Sequence, residues 1–488
     1  MEFKPVLDSN SDVPLYRQLY DQISEQIHCG KVVRGERLPA TRELAGLLGL
    51  NRTTVSAAYE LLEAGGLIAG HVGRGSFVTG GADPEGHHWS RLLERGESFP
   101  GAAASSPHVL YSFATSRPAR ELFPLDDFRA SCAAVLGRDD LADILQLGSP
   151  GGYEPLRRYL LEAARRQDLA RAGDDLIITN GCQQALDLIG RVLVRPGDRV
   201  LVEDPVYPGL KHLLGEMGAQ LIGVPAGAEG FDTAECKRLL ERERPRFLVV
   251  TPNFQNPTGN TLALAARHAL LAAARAAHVP VIENDAYRDL RYEGEDLPAL
   301  KQLDDSGNTV LLRSFSKISF PGLRVGWVVG PRPLLDRLRQ AKQSADLHTD
   351  QLSQAVLLEF AESGKLESHR RKMIAAGAAR LAATLDACAH SLPAGTRVTR
   401  PQGGMNLWVQ LPEPLDAGEL LARAEHEGVA YLPGRYFAVS RLYPGALRLS
   451  FAGLAPEDIR RGLAILGQVF AGELGRAPRS FDPAPALV

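Results

Sequence analysis

The spacing of apolar residues changes character along the chain. From Pro14 to His28 they recur as Leu15, Leu19, Ile23 and Ile27, a single stripe on one helix, and Gly30 suits the position after its end. A second helical pattern covers Thr41 to Leu48, with Gly49 at the turn. Asn51 is a good cap for a third helix, Arg52 to Glu63, with Val55, Tyr59 and Leu62 facing inward. Leu67 to His71, a turn at Val72-Gly73-Arg74-Gly75 and Ser76-Phe77-Val78 then read as a hairpin. Three helices and a hairpin predict a winged helix-turn-helix over residues 1–79.

Residues 80–109 are rich in Gly, Ala, Ser, Pro and His and read as a linker, with Trp89, Leu92 and Leu93 as apolar residues able to pin it to a surface. Beyond it the pattern changes to short continuous apolar runs separated by helical segments: Leu176-Ile177-Ile178, Val200-Leu201-Val202, Phe247 to Val250, Val279 to Ile282, Val310-Leu311-Leu312 and Val325 to Val329. Runs apolar on both faces predict strands buried between helices, hence an α/β domain. Helices mixed with shorter strands, Met405 to Leu411 and Ala446 to Phe451, predict a smaller α+β part. The expected division is a domain over 110–474, with a large part at about 150–345 and a small part from 110–149 and 346–474. An Ala/Pro-rich tail, 475–488, is expected to be mobile.

Composition adds little except by exclusion. With 44% apolar residues, the 488-residue chain has enough for large cores. A net charge of −3 makes any nucleic-acid surface local. The five cysteines are scattered and contain no CxxC pair, which argues for a reducing compartment and against a disulfide framework or a metal site. The polar, acidic start is unlike a signal peptide, and the Ala-rich stretch Leu262 to Ala277 is broken by Arg267, His268 and Arg275. A cytoplasmic protein with no membrane partner is expected.

The most informative chemistry lies in Arg313-Ser314-Phe315-Ser316-Lys317, followed by Arg324. A lysine between hydroxyl residues suits a Schiff base with an aldehyde cofactor, while Ser314, Ser316 and Arg324 hold its phosphate. The cofactor implied is pyridoxal 5′-phosphate (PLP). Its ring nitrogen needs a carboxylate, for which Asp285 after a buried strand is suited. Asn256 and Tyr287 can donate to its phenolic oxygen, Tyr207 can stack on its ring, and Gly181-Cys182-Gln183 opens a helix where phosphate binds well. Arg448 offers a forked cation to a substrate or effector carboxylate. In the first module, Arg52, Thr53, Thr54 and Ser56 occupy the exposed first turns of the third helix, the part that enters a major groove.

Two resemblances follow. The stretch from Pro14-Leu15-Tyr16 through Gly35-Glu36-Arg37-Leu38-Pro39-Ala40-Thr41-Arg42 to Gly73-Arg74-Gly75 resembles the GntR superfamily. It implies that Arg42, Asn51 and Arg52 lie at the DNA, that Thr53, Thr54 and Ser56 face the groove, and that Gly73 and Arg74 form the wing. Residues 113–470, with Asn256-Pro257-Thr258-Gly259, Asp285, Tyr287, Ser314-Phe315-Ser316-Lys317, Arg324 and Arg448 in order, resemble fold type I, class I/II aminotransferases. That implies a mixed, mostly parallel sheet. The fusion is similar to the MocR subfamily of transcriptional regulators. The resemblance implies operator DNA, PLP and an amine or amino acid effector as partners, and a head-to-tail homodimer with exchanged DNA modules.

The chain departs from the family at Leu147, where a tyrosine usually reaches the partner's cofactor phosphate, at Cys182 in place of a serine and at Ser116 in place of a glycine. Three functions therefore stay open: a PLP-dependent regulator, a working aminotransferase carrying a DNA module, and a sensor that binds an amino acid without cofactor.

Overall fold

A computed structural model of the chain describes residues 5, 7, 8, 11, 13–33, 35–71, 75–79, 108–227 and 230–474. Gly73 and Arg74 of the expected wing, the linker residues Trp89, Leu92 and Leu93, and the tail after Leu474 lie outside them. The chain divides into two units, Met1–Ser98 and Phe99–Val488.

In the first unit, α1 (Leu15–His28), α2 (Thr41–Leu48) and α3 (Arg52–Ala64) precede a hairpin of β1 (Ile68–His71) and β2 (Gly75–Val78). Leu19, Ile23 and Ile27 of α1 are buried against Val55, Ala58, Tyr59 and Leu62 of α3, while Leu15 is only half-buried. Gly49 ends α2 in the left-handed conformation, and the Asn51 side chain accepts from the Thr53 amide at 3.2 Å, capping α3. The Tyr59 hydroxyl donates to the Pro39 carbonyl at 2.8 Å, tying α3 to the chain entering α2.

The second unit is built on a seven-stranded sheet. Its strands are β4 (Asp174–Thr179), β5 (Arg199–Asp204), β6 (Gln220–Pro225), β7 (Leu248–Val250), β8 (Val281–Asn284), β9 (Thr309–Ser314) and β10 (Gly326–Pro331). Their order is β4-β10-β9-β8-β7-β5-β6. The strands β9, β8, β7, β5 and β6 run parallel, whereas β10 is antiparallel to both β4 and β9. The apolar runs are buried on both faces, as in Ile177, Ile282, Leu311 and Val328. This is the mixed, mostly parallel sheet expected. The register sets Gly326 opposite both Thr179 and Ser314. It therefore brings the ends of β4 and β9 to the same edge of the sheet, one strand apart.

A smaller antiparallel sheet, β11 (Arg397–Val398), β12 (Asn406–Gln410), β15 (Ala446–Ser450) and β14 (Leu432–Pro433), carries Arg448 opposite Trp408. Tyr111–Ser112 (β3) pairs parallel with Val429–Ala430 (β13), so the start of this unit joins its C-terminal part. Helices Lys365–Ser391 and Pro456–Leu474 pack on each other and cover this core. Among the described residues no helix is long and apolar enough to cross a membrane.

Candidate cofactor site and nucleic-acid interface

Five strand ends converge because parallel strands present their C-terminal ends on the same edge of the sheet. After β4 comes Gly181, after β5 Tyr207, after β7 Asn256, after β8 Asp285 and Tyr287, and after β9 Ser316 and Lys317. They surround a cavity of about 330 Å³, lined among others by Cys182, Gln183, Tyr207, Asn256, Tyr287, Ser314, Ser316, Lys317, Arg324 and Arg448. The sequence-predicted residues from these segments are thus brought together, with Gly181 and Asp285 set behind the wall. Asn284 and Ala286, which flank Asp285, line the cavity, and the Asp285 carboxylate is fully buried.

Lys317 Nζ donates to the Ser116 carbonyl at 2.9 Å and stands 5.2 Å from the centre of the Tyr287 ring. Ser314 accepts from the Ser316 amide at 3.0 Å and donates to the Ser316 hydroxyl at 2.9 Å, which turns both hydroxyls into one short 3-10 turn. Arg324 reaches the Ser316 hydroxyl at 3.4 Å and the Asn180 carbonyl at 3.1 Å. Gly181 has φ +80°, and a Cβ there would lie 2.6 Å from Arg324 Nη2. The left-handed backbone at this position favours glycine, and a side chain there would displace the guanidinium. The start of helix Gly181–Leu193 is fixed from behind: Asp346 accepts from Asn180 Nδ2 at 2.8 Å and Gln184 Nε2 at 2.6 Å, and pairs with Lys342.

Tyr207 folds over Gly209, where a Cβ would lie 2.5 Å from the ring, so the glycine permits the lid. Burial raises its hydroxyl above the ordinary tyrosine range, keeping it a neutral donor. Burial likewise pushes the Cys182 thiol up to about 12, so it lines the cavity as a thiol and not as a thiolate.

Arg448 is 3% exposed and has no acidic partner among the described residues. It donates to Asn256 Oδ1 at 3.4 Å and to the Ala114 carbonyl, while its Nε is left without a partner. Burial brings it down to about 10. A cation withdrawn from water costs several kcal/mol unless an anion offsets it, so an anion is the ligand this place favours.

Asp285 accepts from Asn253 Nδ2 at 2.6 Å and from Arg313 Nη2 at 3.3 Å. Asn253 in turn accepts from Arg267 Nη2 at 2.7 Å, and Arg267 is wholly buried among backbone carbonyls. Sequence reasoning missed Asn253, Arg267 and Arg313. Asn253 and Arg313 stand inside the very runs that carry the other residues, but nothing in their spacing tells which way they turn. Sequence reasoning also missed Asn406, which accepts from the Ser116 hydroxyl.

In the first unit Arg42, Asn51, Arg52 and Thr53 are exposed, and Thr54 and Ser56 are half-buried along the start of α3.

Residues 137–466 match the family model for aminotransferase class I and II, and residues 15–78 match that for bacterial regulatory proteins of the gntR family. The HTH-type transcriptional regulator TauR of Rhodobacter capsulatus is 31% identical over 471 residues, 92% of this chain and 95% of the relative. The probable rhizopine catabolism regulatory protein MocR of Rhizobium meliloti is 28% identical over 484 residues, 95% of each. The chain belongs to the MocR subfamily of GntR-type regulators.

The aminotransferase-like part of the chain has solved counterparts. The α-aminoadipate aminotransferase LysN of Thermus thermophilus, complexed with N-(5′-phosphopyridoxyl)-L-leucine, is 37% identical with a TM-score of 0.72, covering 80% of this chain and 99% of that one. The cofactor of this fold is PLP, and the residues here fit it. Ser314, Ser316 and Arg324 offer donors that suit a phosphate, and Lys317 offers an amine at the same cavity. The buried Gln183 Oε1, Asn284 Oδ1 and Arg448 Nε around the cavity lack hydrogen-bond partners among the described residues.

Proposed function

We propose that this MocR-type chain senses an amine or amino acid in its PLP pocket and passes that signal to operator DNA bound by its first module. The observation that carries the reading is a single cavity joining Lys317 to the buried Arg448, which has no acidic partner among the described residues, in a chain that also presents Arg52 at an exposed helix start. The bound cofactor supplies an electrophilic aldehyde and an electron-withdrawing ring. Lys317 would hold it covalently. Gly181, Cys182, Gln183, Ser314, Ser316 and Arg324 would hold its phosphate, Asp285 would support the charge on its ring nitrogen from behind the wall, and Asn256 and Tyr287 would donate to its phenolic oxygen. Tyr207 would cover the ring and exclude water. Arg448 orients the effector carboxylate.

The same short segment occupies both cations in this structure: Ala114 gives its carbonyl to Arg448 and Ser116 gives its carbonyl to Lys317. Groups that claim these cations free the segment, which supplies an effector-dependent change at the start of the second unit. Ligand binding at this site then shifts the balance between two arrangements. The chain acts as a homodimer in the cytoplasm. Exposed Leu145 and Leu147, 64% and 73% exposed, favour burial against a second copy.

The reading is tested by titrating operator DNA with and without PLP and amino acid. A second reading, a working aminotransferase, is favoured by the likeness to LysN and by the presence of Lys317, Asp285, Asn256, Tyr287 and Arg324. Steady amino-group transfer from an amino acid to a keto acid would support it.

A further inference from the structure

Asp285 already has two donors before any ring nitrogen meets it. Asn253 holds one oxygen as a neutral amide at 2.6 Å, and Arg313 holds the other as a cation at 3.3 Å. The Asp285 side chain is fully buried and that of Arg313 is 11% exposed, so water screens their attraction little. Arg313 also borders a second cavity of about 600 Å³ with Tyr159, Arg288 and Trp327, and its Nε has no hydrogen-bond partner. The guanidinium therefore stays on Asp285 by charge and not for want of space.

A cation beside a carboxylate lowers its basicity, and a pyridine nitrogen keeps its proton only as far as the facing carboxylate supports it. We propose that Arg313 is a positioning residue that competes with the cofactor ring nitrogen for Asp285 and so weakens this chain's electron sink. The proposal rests on the reading that Asp285 faces that nitrogen. It gives a physical reason for a pocket that captures an amine and holds it, as a sensor needs, instead of driving onward proton loss from carbon. Among the described residues, the other charged or titratable groups that interact with Asp285 are Arg267, Arg291, Glu283 and Cys182, and Asp289 and Glu283 also act on Arg313. Arg313 alone makes an ion pair with Asp285 among the described residues.

The test loads the full-length protein with PLP carrying an isotope-labelled ring nitrogen and follows that nitrogen's chemical shift against pH. In Arg313→Met the ring nitrogen should hold its proton at least tenfold more tightly than in wild type, with its midpoint displaced to higher pH. Arg313→Lys, which keeps the charge, should stay near wild type. Coincident titrations of wild type and Arg313→Met would overturn the proposal. If Arg313→Met does not fold, Arg313→Gln is expected to shift in the same direction. The wild-type titration is a further check: a ring nitrogen fully protonated up to the pH of unfolding would show that Asp285 is uncontested. Failure of the cofactor reading itself is seen separately, as the absence of any Lys317-dependent visible band in PLP-loaded protein.

Discussion

Lys317 and Arg448 are the two cavity cations whose partners include backbone carbonyls of one segment, and such bonds exchange readily for ligand groups. Lys317→Ala is expected to abolish covalent capture of PLP, read as loss of the visible band and of borohydride-fixed cofactor by mass, while thermal unfolding stays close to wild type. Ser314, Ser316 and Arg324 remain to hold phosphate in that variant. Arg448→Met should leave the PLP band in place and remove the spectral change produced by amino acids. Truncating one partner of a buried charge pair costs about 2–5 kcal/mol, so effector affinity should fall by well over tenfold. A separate residue, Glu203 on β5, is pushed by burial up to about 8. The folded chain keeps a proton that the unfolded chain releases near the ordinary value of about 4.5, so stability falls as pH rises through this window. Glu203→Gln should flatten that fall, checked by thermal midpoints in buffers at either end of it. An unchanged slope would place the loss elsewhere.

At the scale of elements, the helix start that presents Arg52 is held by the Asn51 cap, so DNA contact and helix stability can be separated. Asn51→Ala should lower the stability of the first unit by about 1 kcal/mol. Arg52→Ala should leave stability unchanged and weaken specific operator binding by about 1–3 kcal/mol if it meets a guanine edge. A gel-shift titration in which Arg52→Ala binds with normal affinity and normal specificity would contradict the placement. Much of this architecture was legible in the chain. Buried parallel strands need continuous apolar runs, so β4, β5 and β7 to β10 stand out, and glycines mark the ends of α1, α2 and α3. The strand β6 was not visible, because at the sheet edge it is half-buried and Gly223 and Pro225 interrupt its apolar run. Two-residue strands such as β3 and β13 are too short to show any period. The cavity residues were legible where the chemistry of the cofactor demands a residue type. Asn253, Arg267 and Arg313 were not, because the network they form centres on Asp285 at another strand end, and only the folded register reveals that pairing.

At the scale of the whole molecule, the proposed function makes the PLP site and the DNA-reading module of one chain a single ligand-controlled switch. One small module touches too little DNA to be selective, so the protein should occupy paired half-sites as a dimer, seen as a two-to-one complex by sedimentation. A switch of this kind carries a coupling free energy of about 1–3 kcal/mol between effector and operator. The most direct measurement is a fluorescence-anisotropy titration on an operator selected from a random DNA library. It compares the full-length protein without PLP, with PLP, and with PLP and each standard amino acid or small amine, in wild type and in Lys317→Ala. The account predicts that at least one loaded state changes operator affinity about five-fold or more in wild type, and that Lys317→Ala abolishes that change. Equal operator affinity in every loaded state, accompanied by steady amino-group transfer, would contradict it and leave an aminotransferase that merely carries a DNA-binding module.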